Sequence, residues 1–90
     1  MIADSDETNA MRRRRLKFRC WHRGLVEVDL LLGRFADAHV EDLAEADLTA
    51  FEALLDTPDQ DILAWIVGEE PVPDERRSPL LTRILAFHGA

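Results

Sequence analysis

Helix-stopping residues cut this chain into short blocks, and each block carries the apolar spacing of one amphipathic helix. Gly24, Thr57-Pro58, Gly68 with Pro71 and Pro73, and Ser78-Pro79 are the punctuation. Gly ends helices readily, and Pro is at home in a first helical turn but breaks an interior one. Between these marks apolar residues recur near every 3.6 positions, and no segment alternates with period two between hairpin turns.

The first block, from Met11 to Arg23, contains no Gly or Pro, puts Leu16 and Cys20 on one face, and stops at Gly24. After Gly24, the spacing of Leu25, Val28, Leu32, Phe35, Ala36 and His39 predicts a second helix to about Val40, with Asp29, Arg34 and Asp37 opposite. Gly33 lies inside it at a cost of roughly 1 kcal/mol relative to Ala, so it marks either close packing or a local irregularity. A third helix is predicted from Ala44 to Leu55, with Leu48, Phe51, Leu54 and Leu55 inward and Glu45 and Asp47 near the positive end of its dipole. It has no obvious cap.

Thr57, Pro58 and Gln60 read as N-cap, first helical residue and third member of a capping box. They open a fourth helix carrying Ile62, Leu63, Trp65 and Ile66, which Gly68 ends. Ser78-Pro79 repeats the cap-then-Pro arrangement ahead of Leu80, Leu81, Ile84, Leu85 and Phe87. The expectation is an all-α, single-domain, small five-helix bundle over residues 11 to 90, preceded by a disordered acidic tail at residues 1 to 10.

At 90 residues the chain has room for one domain. No apolar run approaches the ~20 residues of a membrane-spanning helix, so no membrane insertion is expected. The single Cys20 cannot form an intramolecular disulfide, and a small domain held by its core alone is typical of reducing compartments. Residues 1 to 7 hold three acids and no apolar signal core. A cytoplasmic location is expected.

The net charge of −7 conceals a division: residues 1 to 11 carry −3, residues 12 to 23 carry +7, and residues 24 to 90 carry −11. The basic block is Arg12 to Arg15, Lys17, Arg19 and Arg23. It could be a solvated face, a nucleic-acid patch or a surface for an acidic protein partner. Nucleic acid ranks below a protein partner, because the other 67 residues of the globule would present −11 to the same polyanion.

Nothing in the chain announces catalysis. His22, His39 and His88 are dispersed, without a second Cys or a close His pair, so neither zinc nor a Cys-His nucleophile is suggested. His39 falls on an apolar face as a core or boundary histidine, and His88 belongs to a fraying end. There is no glycine-rich phosphate loop and no nucleophile elbow. Trp21 and Trp65 read as core residues rather than as stacking platforms for a ring ligand. No enzyme activity is expected.

One constellation stands out: Arg23-Gly24-x-x-Glu27, at the junction of the first two helices. In one reading Gly24 is an N-cap, Glu27 at N3 accepts from the cap amide, and Arg23 faces the carbonyl end of the first helix. In the other, the corner exposes backbone between a guanidinium and a carboxylate and docks another protein. Both can hold together, since a capped junction is also a rigid platform.

At these residues the sequence resembles the SdhE-type succinate dehydrogenase assembly factors, or flavinylation factors, which carry an Arg-Gly-x-x-Glu signature. The likeness continues through Val28, Asp29 and Leu30 to Leu32, then Phe35. Asp59-Gln60-Asp61-Ile62-Leu63-Ala64-Trp65 is similar to the family's Asp-x-Asp-apolar-x-x-Trp segment, and Gly68, Pro71 and Pro73 to its link. The resemblance covers about residues 14 to 87.

It implies five packed helices, no catalytic machinery, and action through a partner. That partner would be the flavoprotein subunit of succinate dehydrogenase, in bacteria often the fumarate reductase counterpart as well. The factor would promote covalent attachment of FAD to a histidine of that subunit, holding no FAD stably itself. Carried over residue by residue, Arg23, Gly24 and Glu27 form the contact platform, with Asp29, Arg19 and His22 beside it. Arg23 is then a desolvated anchor whose loss costs binding without unfolding the bundle. The competing expectation is a nucleic-acid-binding or regulatory adaptor using the basic first helix.

Overall fold

The computed structural model describes the backbone of residues 2–89 and the side chains of residues 9–89. Its five α-helices are α1 (Ile2–Cys20), α2 (Val26–His39), α3 (Glu45–Leu54), α4 (Asp59–Val67) and α5 (Pro79–Phe87), with single 3-10 turns at Val40–Asp42 and Asp74–Arg76. No strand occurs among the described residues. No helix is long and apolar enough to cross a membrane among them either.

The central element is α2, which packs against α1, α4 and α5, while α3 packs against α1 and α5. Its inward stripe is Val28, Leu32, Phe35 and Ala36, all buried, so the 3.6-residue spacing translates directly into one buried face. Phe35 meets Phe51 of α3 edge-on at 5.9 Å and Phe87 of α5 at 5.5 Å, joining three helices through one ring. Leu16 and Cys20 contribute the α1 side of the same core. Burial pushes the Cys20 thiol up to about 12, so it remains a protonated, apolar filler.

Gly33 is a close-packing glycine. A Cβ there would collide with the indole of Trp21, so the bare backbone is what lets the end of α1 lie flat on α2. The indole Nε1 donates to Asp37 Oδ1 at 3.2 Å. Ser78 caps α5 as expected, accepting from the Leu81 amide at 3.0 Å, with Pro79 as its first residue. Gly68 ends α4 at φ 83°.

Several local expectations are corrected. The α1 helix starts at Ile2 rather than Met11; residues 2 to 20 contain neither Gly nor Pro, so nothing in the backbone stops it earlier. The acidic tail expected at residues 1 to 10 lies mostly outside the residues with described side chains. Thr57 caps nothing: it is buried, and its hydroxyl accepts from Arg76 Nη2 while α4 starts without a side-chain cap. His88 is tied down, its Nε2 donating to the Leu31 carbonyl at 2.8 Å. His39 is the boundary histidine expected, tilted against Phe35 and edge-on to Phe87.

Candidate functional site

The arginines of α1 divide by helical face. Arg12 forks onto Glu52, its Nε and Nη2 donating at 2.9 and 2.8 Å, and Nη2 also reaches Thr49 Oγ1 at 2.8 Å. That hydrogen bonding holds the Glu52 carboxyl below its ordinary value and raises the Arg12 guanidinium. Arg13 donates to the carbonyls of Val40, at the end of α2, and of Leu43, at the end of the 3-10 turn that follows. Lys17 faces Asp37 at 3.8 Å, and Arg19 pairs with Asp56 at 3.2 Å. Arg14 and Arg15 are exposed, with no acceptor among the described residues.

The corner after α1 is organised by two carboxylates. Asp29, one turn into α2, accepts from the Arg23 main-chain amide at 2.7 Å. Asp59, the first residue of α4, accepts from Arg23 Nε at 2.7 Å. The rest of the guanidinium caps the carboxyl end of α3: Nη1 donates to the Leu55 carbonyl and Nη2 to that of Thr57 at 2.6 Å. A cation on orphan carbonyls at a helix C-terminus is favourable both as a hydrogen-bond donor and through the dipole. Side-chain exposure is only 12% for Arg23 and 19% for Asp59.

The capping expectation for the signature therefore changes. Gly24 is not an N-cap: Leu25 occupies that position, and α2 makes no side-chain cap bond. Glu27 lands at N2 and is exposed, so no capping box forms. Arg23 faces the end of α3, not of α1, and its guanidinium is spent inside the monomer. An arginine so committed helps hold the bundle, so its loss would not leave the fold untouched. Gly24 is exposed at φ 129°, a backbone conformation only glycine adopts without strain.

What the corner presents outward is Gly24, Glu27, His22 and Val26, the last 68% exposed. His22 stacks on Phe18 at 4.0 Å and donates from Nδ1 to its carbonyl at 2.7 Å. Phe18 is 62% exposed, with Met11 two turns earlier also exposed. A hollow of about 340 Å³ gathers Phe18, Arg19, His22, Arg23 and Asp59. The structure thus brings Arg19, His22 and Arg23 together and puts Gly24, Glu27 and Asp29 on the adjoining turn.

Phe18 and Asp59 were missed as site residues. Phe18 breaks the polar pattern of an otherwise basic helix face, and that was its available signal. Asp59 sits in the second motif, which carried no stated contact to the first. A wider cleft of about 470 Å³, lined by Trp65, Val72, Arg77, Leu81 and Leu85 among others, contains none of the predicted site residues. No cluster of three or more metal-ligating side chains occurs among the described residues.

Residues 14–88 match the family model described as flavinator of succinate dehydrogenase. The chain belongs to the succinate dehydrogenase flavinator family. It is 40% identical over 81 residues to the FAD assembly factor SdhE of Acetobacter pasteurianus, across 90% of this chain and 74% of that one. It is 34% identical over 87 residues to the mitochondrial succinate dehydrogenase assembly factor 2 of Meyerozyma guilliermondii, and 37% identical over 87 residues to that of Scheffersomyces stipitis. Each alignment covers 93% of this chain but only 64% and 58% of the respective yeast protein. The flavinator match takes in all of α2 to α5 and the corner, and begins at Arg14, inside α1.

Proposed function

We propose that this chain is an assembly factor for succinate dehydrogenase that docks on its flavoprotein subunit and promotes covalent attachment of FAD there. The observation that carries the reading is the corner itself: an exposed Gly24–Glu27 turn held from beneath by Asp29 and by the Arg23–Asp59 pair. A turn fixed at two points presents its outer atoms in one geometry, so little conformational freedom is lost on docking. The membership of the chain in the flavinator family supplies the class of partner.

In this reading the factor does no chemistry of its own. FAD stays on the partner, and the partner's own histidine is the nucleophile. The factor holds that subunit so that histidine and isoalloxazine ring are aligned, and orientation alone can supply several kcal/mol of barrier reduction. The bacterial fumarate reductase flavoprotein is a second client on the same logic. The internal use of Arg12, Arg13, Arg19 and Arg23 removes most of the footprint that nucleic-acid binding would need.

The test is co-expression with a succinate dehydrogenase flavoprotein subunit, scoring flavin fluorescence of the denatured subunit in gels. Covalent flavin should rise with the wild-type chain and fall with Glu27→Ala, which removes an exposed side chain and leaves the fold intact. Equal flavin with and without the chain would overturn the assignment.

A further inference from the structure

The signature corner and the Asp-x-Asp segment are 36 residues apart in sequence and meet at one ion pair. Arg23 Nε and Asp59 Oδ1 lie 2.7 Å apart, with most of both side chains withdrawn from water. The same carboxylate lies under the turn: a Cβ built on Gly24 would come to 3.6 Å from Asp59 Oδ2. Asp59 is therefore in contact range of the corner through two residues at once, while belonging to a different helix. No other described acid both pairs with the Arg23 guanidinium and underlies Gly24.

The remaining Arg23 donors go to Leu55 and Thr57, which join α3 to α4. A guanidinium bound to two carbonyls still needs a counter-charge when it is largely buried, because an unpaired charge there is costly. Without Asp59, Arg23 would move toward solvent, and the turn carrying Gly24 would lose its support from below. Asp29 would still accept from the Arg23 amide, but in a turn left with one anchor of two, so that hydrogen bond would open more often.

We infer that Asp59 is a positioning residue for the docking corner: it sets the orientation of Gly24 and Glu27 through Arg23, without being the group that meets the partner. This rests on the docking reading above, and deepens it by joining the two sequence motifs into one device. Arg23 and Asp59 then act as a unit, so the function of the signature depends on a residue outside it.

The experiment uses the full chain with purified flavoprotein subunit of succinate dehydrogenase, comparing wild type, Asp59→Asn, Glu27→Ala and the double variant. Affinity is titrated at a temperature where circular dichroism shows each chain folded, and amide exchange is followed at Arg23. Asp59→Asn is expected to bind about tenfold more weakly and to exchange the Arg23 amide faster. Adding Glu27→Ala to it should cost clearly less than Glu27→Ala costs alone, the mark of two residues acting through one geometry.

If Asp59→Asn does not fold, Asp59→Glu, which keeps the charge but displaces it, is measured in the same way with a smaller expected loss. Binding within about twofold of wild type by a folded Asp59 variant, or losses that simply multiply in the double variant, would overturn the inference. If the wild type does not bind, or Glu27→Ala binds as the wild type does, the docking reading fails instead. The Arg23 amide still decides the positioning claim in that case: unchanged exchange in the Asp59 variant refutes it, and faster exchange upholds it.

Discussion

Arg12 and Arg23 stand near opposite ends of one basic segment and make outwardly similar clamps, with side chains about equally covered but with different partners. Arg12 reaches across to α3 and binds side chains, the carboxylates of Glu52 and Glu45 and the hydroxyl of Thr49, with Glu45 largely in solvent. Arg23 binds one carboxylate, more covered than either of those, and two main-chain carbonyls. The first clamp adds attraction between groups that water would otherwise serve. The second satisfies backbone that has no other partner at the end of α3. The same side chain is thus an accessory in one place and a requirement in the other.

The strongest way to break that contrast is Arg23→Ala. It should lower the unfolding free energy by about 3 kcal/mol, since it strands Asp59 and two carbonyls. Urea denaturation measures it, and a cost no greater than that of Arg12→Ala would show that the difference in partners does not matter.

Arg12→Ala should shift the melting temperature less, and its increment should shrink in roughly 1 M salt, where the screening length falls to about 3 Å. The Arg23 increment should survive the same salt. Acid sharpens the point further. Because Arg12 holds Glu52 below its ordinary value of 4.5, the stability from that pair is fully present above 4.5 and is lost as pH falls through the lowered value. Glu52→Gln should abolish that part of the acid dependence in thermal melts from pH 6 downward.

The smallest effect on the fold belongs to the outward arginines. Arg14→Gln with Arg15→Gln should leave the unfolding free energy within about 0.5 kcal/mol of wild type. On the docking reading it should nonetheless slow association with the flavoprotein subunit, most visibly at low salt, in stopped-flow binding.

The helices were legible because their signals are local. Ser78-Pro79 and Gly68 act within one turn, and the α2 stripe needs only the period of a helix. The corner was legible as a place but not as a mechanism. Which acceptor Arg23 finds depends on where α3 ends and α4 begins, and that is settled by packing of residues more than thirty positions away. Thr57 shows the same limit: its sequence neighbours describe a capping box, but a buried hydroxyl goes to the donor that arrives in three dimensions, and Arg76 arrives. Gly33 was ambiguous for the same reason, since the indole that needs its bare backbone lies twelve residues earlier.

The fit of Trp21 over Gly33 equips the molecule with a built-in optical gauge. Trp21 sits half-covered at the seam of α1 and α2, while Trp65 is enclosed on α4. Replacing either indole by Phe leaves a single emitter, so separation of the first hairpin and loosening of the second half can be followed independently, without attaching a dye.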